Sequence, residues 1–556
     1  MGVPGRVLPL SSAWWGILVL CSSGGAWAGE PEASDVGANI YLHGTVGSGA
    51  ELVGTRGGRG ADTQGAEAAC VSCHQRSGLG EKEGEGLYVP PIAAEYLFHS
   101  KSHTGKDPVL HYVENMRANR SAYTPETLAR AIREGVDPDG HRFGTLMPRF
   151  ALSDADMTAL IAYLKTLTPA QVPGVSDSML QLATIVTPEV DAQKRQGVFD
   201  VLEHFVAEVN SFPFQSSSPR MWTSDRGSRA KSMYIANRHW RLHEWVLTGP
   251  PSSWAEQLDR HLAAEPVYAV LSGAGGAHWQ PVQQFCERHA LPCLFSNVEA
   301  PQEDPQSFYS LFFSRGVYLE ADLMAARLGE LAKQGQVREV LEVYRKDDSG
   351  EAGAGALATA LAKSGIPVRL RAIEASATTA HVRAAIDSAK TDTALVLWLR
   401  PSDLRTLPEA PPSKTVFMSG LLGGLEDAPL AGSWRQQSIM SYPYDLPDRR
   451  GVRLDYPIGW FRFRQIPIVD QPAQIDTYLA CSILVEVLRH RMADNVSQPY
   501  LIEQIQQELE HRLVTAYYPH LALATRQHFA SKGGYLARFA DSTGAKLIAA
   551  SEWMTP

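Results

Sequence analysis

The chain has 556 residues, of which 44% are hydrophobic and 20% are charged, and its formal net charge is -9. This length predicts about two to four domains, each large enough to bury its own core. The mildly acidic balance argues against non-specific nucleic-acid binding and provides no basic tail for a membrane surface.

The N-terminus has the pattern of a secretory signal peptide. Arg6 precedes the apolar run AWWGILVL, and small residues then lead to AWA, which ends at Ala28. A positively charged N-terminal region, a short apolar segment and an A-x-A site predict a signal peptide at residues 1–28 that is cleaved after Ala28. The apolar run is too short to span a bilayer, and no later segment has the about 18 apolar residues of a spanning helix. We therefore expect an exported, soluble chain from Gly29 onwards.

The stretch AACVSCHQRSG contains Cys70, Cys73 and His74 in the spacing C-x-x-C-H. This spacing is the attachment sequence of a c-type haem, in which the two cysteines form thioethers and the histidine binds the iron. A thioredoxin-like C-x-x-C needs a βαβ setting, whereas this region is glycine-rich and irregular. A zinc site needs a second ligand pair with metal spacing, and none is close by. The haem interpretation is therefore favoured.

A second iron ligand is expected downstream, in a loop between two predicted helices. Thr124 caps a helix that starts at Pro125 and ends at Gly135. A loop containing Met147 follows, and Ser153 caps the next helix. Methionine is a soft ligand that raises the potential of a haem iron.

Other side chains could compete with Met147 as the distal ligand. Met157 lies on the apolar face of the second helix, and Met116 lies in a predicted helix, so both are expected in the core. Four histidines are the remaining rivals, and we expect them at the surface: His99, His103, His111 and His141.

These features together resemble class I c-type cytochromes. The resemblance covers about Gly37 to Leu167 and implies an all-α cytochrome c domain at residues 31–168. It implies one covalently attached haem c, with Cys70 and Cys73 as thioether sites and His74 and Met147 as axial ligands. The segment YVPPI, which ends at Ile92, resembles the proline-containing segment that packs against the haem edge. An iron with both axial positions filled favours electron transfer over oxygen chemistry.

After Leu167 the sequence TPAQVPGVSDSML has the prolines, glycine and small polar residues of a linker, which we place at residues 169–181. From Leu182 onwards, short apolar runs alternate with helical patterns, beginning with LATIV and continuing through VYAVLSG, REVLEVYR and TALVLWLR. This alternation predicts βαβ units and parallel sheets, and its length suits two lobes.

This second region resembles the type I periplasmic solute-binding fold, with the leucine/isoleucine/valine-type binding proteins of ABC importers as the nearest relatives. The resemblance covers residues 182–556 and implies a two-lobed α/β periplasmic-binding-protein-like domain around a hinged cleft. Ligand-holding positions implied by the resemblance follow predicted strands: Ser272, Gly273, Ser296, Ser314 and Arg315. Their hydroxyls, amides and guanidinium suit a carboxylate, and the alternative is that they are ordinary turn residues. We identify no acidic residue that matches an α-ammonium group.

Three cysteines lie in this second region. Cys286 and Cys293 lie at a helix end and on the following strand, and export permits a disulfide between them. The alternative is two buried free thiols. Cys481 is expected to be a core residue on a helix.

The expected function is electron transfer by a periplasmic mono-haem cytochrome fused to a small-molecule-binding domain, serving a periplasmic dehydrogenase or respiratory chain. The implied partners are a small ligand and a periplasmic redox protein, such as a quinoprotein dehydrogenase or another cytochrome. An alternative is an ABC-transporter-type solute-binding or sensing protein with a haem redox reporter. We do not expect an enzyme, since a haem peroxidase needs an open iron and a diheme peroxidase needs a second C-x-x-C-H, which is absent.

Overall fold

A computed structural model describes residues 33–56, 62–80, 82–83, 87–99, 120–167, 171–211, 238–490, 492, 496–524 and 526–556. The signal peptide predicted at residues 1–28 lies outside these residues, as do His103, His111 and Met116. Within the described ranges, every helix is too short or too polar to cross a membrane.

The N-terminal domain contains two longer helices that pack against each other, Ala33–His43 and Asp154–Leu164. Its described residues also form the α-helices Val71–His74, Ala94–Leu97 and Pro125–Glu134 and the 3-10 helix Gly65–Glu67. The predicted caps are confirmed, because the Thr124 hydroxyl accepts the Thr127 N–H at 3.2 Å and the Ser153 hydroxyl accepts the Asp156 N–H at 3.1 Å. Gly135 ends its helix in the left-handed conformation, with φ of 69°.

The expectation of an all-α N-terminal domain needs correction, because the connections form short antiparallel strands. These are β1 (Val53–Thr55), β2 (Thr63–Gln64), β3 (Lys82–Glu83), β4 (Leu87–Tyr88) and β5 (Arg149–Phe150). β1 pairs with β2 and with β5, and β3 pairs with β4. Segments that cross a small core outside helices still have to pair their backbone groups, and these ladders do so.

The first lobe of the C-terminal domain is built on a seven-stranded parallel sheet with the order β11-β9-β6-β8-β10-β12, in which β7 pairs with β6. Its strands are β6 (Met179–Val186), β7 (His239–Val246), β8 (Ala269–Leu271), β9 (Ala274–Gly275), β10 (Cys293–Leu294), β11 (Asn297–Val298) and β12 (Ser310–Leu311). Because β6 begins at Met179, the sheet includes three residues that the sequence assigned to the linker. The connecting helices are Ala192–Ser211, Trp254–Ala264 and Gln280–Arg288.

The second lobe is a seven-stranded sheet with the order β14-β13-β15-β16-β17-β18-β19, parallel up to β17 and antiparallel beyond it. Its strands are β13 (Glu339–Arg345), β14 (Val368–Ile373), β15 (Thr393–Trp398), β16 (Val416–Ser419), β17 (Ser438–Tyr442), β18 (Tyr535–Phe539) and β19 (Leu547–Ala549). Its helices are Val317–Lys333, Ser349–Lys363, Thr379–Asp387, Pro401–Leu404, Gly420–Gly423 and Gly432–Gln437.

The chain passes between the lobes more than once. Helix Pro447–Arg464 leads out of the second lobe, and helices Gln471–His490 and Gln498–His511 follow it. Helix Gln471–His490 packs against the first-lobe helix Ala192–Ser211. The chain then returns to the second lobe, and on the way Phe312 and Phe529 form an isolated bridge. The alternation of strands and helices seen in the sequence therefore produces two lobes with parallel strands, as expected, although β18 and β19 add antiparallel pairs to the second lobe.

Candidate functional site

The two cysteines of the C-x-x-C-H motif lie on one short turn of helix. Cys70 caps helix Val71–His74, and its carbonyl accepts the backbone N–H groups of Cys73 at 3.3 Å and His74 at 2.9 Å. Both cysteine side chains remain partly exposed. Burial raises the pKa of the Cys70 thiol to about 12, so it stays protonated at neutral pH.

His74 has the protonation and orientation of a metal ligand. Its side chain is buried, and its Nδ1 lies 2.9 Å from the Pro90 carbonyl oxygen. A carbonyl oxygen can only accept, so Nδ1 carries the proton and Nε2 keeps a free lone pair. Burial lowers the pKa of His74 to about 4, which keeps the imidazole neutral. Pro90 belongs to the segment YVPPI, whose packing against a haem edge stays a prediction.

Met147 lies in a loop that Arg149 holds in place. The Arg149 Nη1 donates to the Met147 carbonyl, while Nη2 donates to the carbonyls of Phe143 at 3.2 Å and Gly144 at 3.3 Å. Gly135 leaves room for this guanidinium, because a Cβ at Gly135 would lie 2.0 Å from the Arg149 Cζ. Met147 is half-buried and packs against the hydrophobic core to which Cys70 also contributes.

The rival ligands differ from Met147 in their surroundings. His99 and His141 are exposed, and the His141 ring lies 3.5 Å from the Asp137 carboxylate. Met157 is 3% exposed in the core of the domain, as its helical position predicted. Two thiols, one neutral imidazole and a half-buried thioether therefore fit a covalently attached haem c. The prediction that Met147 is the distal ligand stays a prediction.

Three of the five predicted ligand positions in the C-terminal domain lie together. The Ser272 hydroxyl is 2.9 Å from the Thr477 hydroxyl, and the Ser296 hydroxyl donates to the Ser272 carbonyl at 2.9 Å. The amide nitrogen of Asn297 donates to the Ser272 hydroxyl at 3.1 Å and to the Gly273 carbonyl at 3.2 Å. These groups lie at the carboxyl ends of strands, where open α/β sheets bind ligands. Ser272 has a φ of 54°, a strained value for a residue other than glycine.

Ser314 and Arg315 make their contacts with a different set of residues. The Ser314 hydroxyl accepts the Gly316 N–H at 3.2 Å. Arg315 forms ion pairs with Asp322 at 2.7 Å and Glu303 at 3.3 Å. Its guanidinium is therefore neutralised by the protein's own carboxylates. That arrangement favours a structural role for Arg315.

An ion network that the sequence did not identify joins the two lobes. Arg400, which follows β15, donates to both carboxylate oxygens of Glu299 at 2.8 and 2.6 Å. It also binds Asp348, which follows β13, with a distance of 3.0 Å from Nε to Oδ2. Burial opposes ionisation of Glu299, but Arg400 outweighs it and lowers the pKa of that carboxyl to about 2. The signal available in the sequence for this network was the position of Arg400, directly after the apolar run TALVLWL.

Asp476, next to Thr477 on helix Gln471–His490, is a second group that the sequence did not identify. Its Oδ2 accepts from the Tyr518 hydroxyl at 2.9 Å, and its buried Oδ1 meets no donor among the described residues. Burial raises the pKa of this carboxyl to about 7. Only Cys481 on this helix was considered from the sequence, and the signal that was missed is the adjacent polar pair Asp476 and Thr477 in an otherwise apolar helix.

Cys286 and Cys293 are both free thiols, and both are buried in the first-lobe core. Burial, together with a hydrogen bond between the two side chains, raises the pKa of Cys286 well above its usual value. The structure therefore contains the second of the two alternatives, a pair of buried free thiols, and no disulfide joins them. Cys481, on helix Gln471–His490, is buried in the hydrophobic core, as expected.

The sequence model of the cytochrome c family matches residues 61–168. Among solved structures, a fatty acid ABC transporter substrate-binding protein from Thermomonospora curvata is similar, with 15% identity and a TM-score of 0.48, covering 69% of this chain and 95% of that one. The leucine-binding protein LivK from Thermotoga maritima is similar at 10% identity and a TM-score of 0.46, covering 68% of this chain and 99% of that one. No curated protein sequence matches this chain significantly.

Proposed function

We propose, on the premise that residues 61–168 belong to a cytochrome c domain, that the protein is an exported mono-haem electron carrier with a fused small-molecule-binding domain. The observation that carries the electron-transfer part is the hydrogen bond from His74 Nδ1 to the Pro90 carbonyl. This bond fixes the tautomer of the imidazole with the proton on Nδ1. The unprotonated Nε2 is then available to bind a metal, as in metal-bound histidines.

The chain's own residues supply what a haem group needs to exchange single electrons. Cys70 and Cys73 would anchor it through thioethers, and His74 and Met147 would hold its iron. The bound haem supplies a one-electron redox couple. Arg149 positions the Met147 loop, and Met147 packs against the hydrophobic core that contains Met157.

We propose that the two lobes take up a small, charged ligand between the Arg400 network and the Ser272 cluster. In the structure Arg400 binds Glu299 of the first lobe and Asp348 of its own lobe. A ligand carboxylate could replace one of them when the lobes separate, because a guanidinium binds carboxylates in a bidentate manner. The redox partner would be a periplasmic protein, such as a quinoprotein dehydrogenase or another cytochrome.

The test is visible absorption of the purified exported protein in its oxidised and reduced states. A sharp reduced c-type spectrum with the weak long-wavelength band of methionine ligation supports a six-coordinate electron carrier. A high-spin spectrum that changes with carbon monoxide or peroxide contradicts it and favours a haem enzyme with an open iron. Calorimetric titration with small carboxylates, on wild type and Arg400→Met, tests the ligand part.

The interlobe network also favours a second candidate function, a solute-binding or sensing protein in which the haem reports redox state. The two functions differ in one measurement. If a ligand binds with the same affinity to the oxidised and reduced protein, binding and haem are thermodynamically independent, which favours the electron carrier. A difference in affinity favours the sensor.

A further inference from the structure

The haem-attachment segment is bound directly by a helix of the C-terminal domain. Glu503, on helix Gln498–His511, accepts the Ser77 backbone N–H at 2.8 Å and the Ser77 hydroxyl at 2.5 Å. The two residues are 426 positions apart, and Ser77 lies three residues after His74. Both side chains are buried, with Ser77 2% and Glu503 5% exposed. This carboxylate therefore lies inside the contact between the two domains.

A buried carboxylate is costly to desolvate unless donors replace the lost water. Ser77 provides two such donors at once, and hydrogen bonds to a charged acceptor are stronger than neutral ones. Next to it, the Arg76 guanidinium lies 4.4 Å from the centre of the Phe308 ring and 5.8 Å from that of Tyr309, both in the first lobe. The contact thus combines hydrogen bonds to the Glu503 carboxylate with a cation–π contact, and together they fix the orientation of the attachment segment relative to the C-terminal domain.

Backbone hydrogen bonds continue from Ser77 towards the haem ligand. The Ser77 hydroxyl also accepts the Leu79 N–H at 3.1 Å, which closes a tight turn. Within that turn, the Gly78 carbonyl accepts the N–H groups of Ile92 at 2.6 Å and Ala93 at 3.1 Å. These bonds position the segment that contains Pro90.

The same turn also reaches His74 by a second route. The Gly80 N–H donates to the His74 carbonyl at 3.0 Å. The Pro90 carbonyl in turn accepts from His74 Nδ1. Thus the Ser77 turn supports both the backbone of His74 and the acceptor that orients its ring.

We infer that Glu503 is a positioning residue for the haem site, through which the ligand-binding domain sets the redox potential of the cytochrome domain. The inference rests on the proposed function, because it requires a haem bound by His74. An acceptor at Nδ1 makes the imidazole a stronger donor to its metal, and disturbing that acceptor weakens the donation. Loss of the Glu503 contact therefore raises the midpoint potential.

The experiment uses the full-length, haem-loaded protein and its Glu503→Ala, Glu503→Gln, Ser77→Ala and Ser77→Ala/Glu503→Ala variants. Glu510→Ala is the matched control, since Glu510 is an exposed glutamate on the same helix and its loss changes the charge equally. Redox titration gives the midpoint potential, and limited proteolysis gives the rate at which the two domains are separated. Haem content of the wild type is measured first.

The expected result is a raised potential in Glu503→Ala and Ser77→Ala, no further rise in the double variant, and no change in Glu510→Ala. Loss of two charge-assisted bonds should speed proteolytic separation of the domains by more than about tenfold. The inference is overturned if Ser77→Ala keeps the wild-type potential while Glu503→Ala and Glu503→Gln shift it equally, since the effect is then one of charge alone. Equal shifts in Glu503→Ala and Glu510→Ala overturn it as well.

If Glu503→Ala does not fold, Ser77→Ala and Glu503→Gln decide the question. A wild-type protein without haem overturns the proposed function itself, whereas haem-loaded protein with unchanged variants overturns only the inference.

Discussion

The guanidinium of Arg400 in the second lobe faces the carboxylate of Glu299 in the first lobe, with both carboxylate oxygens within 2.8 Å of a guanidinium nitrogen. The Ser349 hydroxyl donates to the same carboxylate at 2.7 Å. Arg400 and Glu299 thus form an ion pair between the two lobes, and its dependence on an ionised Glu299 makes their association sensitive to pH.

Replacing Arg400 by methionine should destabilise the protein, because the largely buried carboxylate of Glu299 would lose its cation. We expect a loss of about 2 kcal/mol in the free energy of unfolding, measured by urea denaturation at neutral pH. Arg371→Met, at an exposed position of β14, is the control and should have little effect. Equal stability of the two variants would show that the lobes associate independently of this pair.

The same pair predicts a loss of stability in acid. The pKa of Glu299 is about 2 in the folded protein, below its usual value of 4.5. Its stabilising contribution is therefore fully present above about pH 4.5 and disappears as the pH falls towards 2. Glu299→Gln should remove this part of the pH dependence, which urea denaturation at several acidic pH values measures. Parallel pH profiles for the variant and the wild type would contradict the assignment.

Met147→Leu should abolish the long-wavelength absorption band of methionine ligation and lower the midpoint potential, since a thioether ligand raises it. Met157→Leu is the matched control, because Met157 is buried in the core of the same domain. The control should keep the band and lose less than about 1.5 kcal/mol of stability. A band that survives in Met147→Leu would assign the distal position to another side chain.

Gly135→Ala should disturb the Met147 loop, because the new methyl group would clash with the guanidinium of Arg149. Gly140→Ala is a close control: Gly140 also has a positive φ, 91°, but a Cβ there meets nothing within 4 Å. Both variants have backbone strain of roughly 1 kcal/mol. Only Gly135→Ala should also weaken the methionine band, and identical spectra for both variants would refute a role for Arg149 in holding the loop.

Glu342→Gln should stabilise the protein at alkaline pH. Burial raises the pKa of Glu342 to about 8, even though the Trp398 indole N–H donates to it at 2.8 Å. The folded state therefore keeps this proton while the unfolded state loses it. Stability is fully present below about pH 4.5 and declines as the pH rises towards 8, by on the order of 1 kcal/mol per pH unit. Urea denaturation at pH 5 and pH 9 should show a decline in the wild type that is smaller in the variant, and equal declines would contradict it.

Much of the haem-attachment motif could be predicted from sequence, because its two cysteines and its histidine are close together in the chain. The C-x-x-C-H spacing places Cys70, Cys73 and His74 on one helical turn, and a local motif of this kind needs no tertiary information. The helix caps at Thr124, Gly135 and Ser153 were equally local. The alternation of strands and helices depends on hydrophobic periodicity, so the two α/β lobes could be predicted as well.

The tertiary structure alone decided which distant groups meet. Pro90 acts through its backbone carbonyl, which leaves no side-chain signature in the sequence. Arg400 and Glu299 are 101 positions apart, and Ser77 and Glu503 are 426 apart. Each of these carboxylates is brought to its donors by the packing of separate elements, which leaves Glu503 buried and Glu299 partly buried. A sequence pattern specifies the polarity of a face but not the element that will cover it. The contact between the C-x-x-C-H segment and the C-terminal domain is therefore a property of the folded chain.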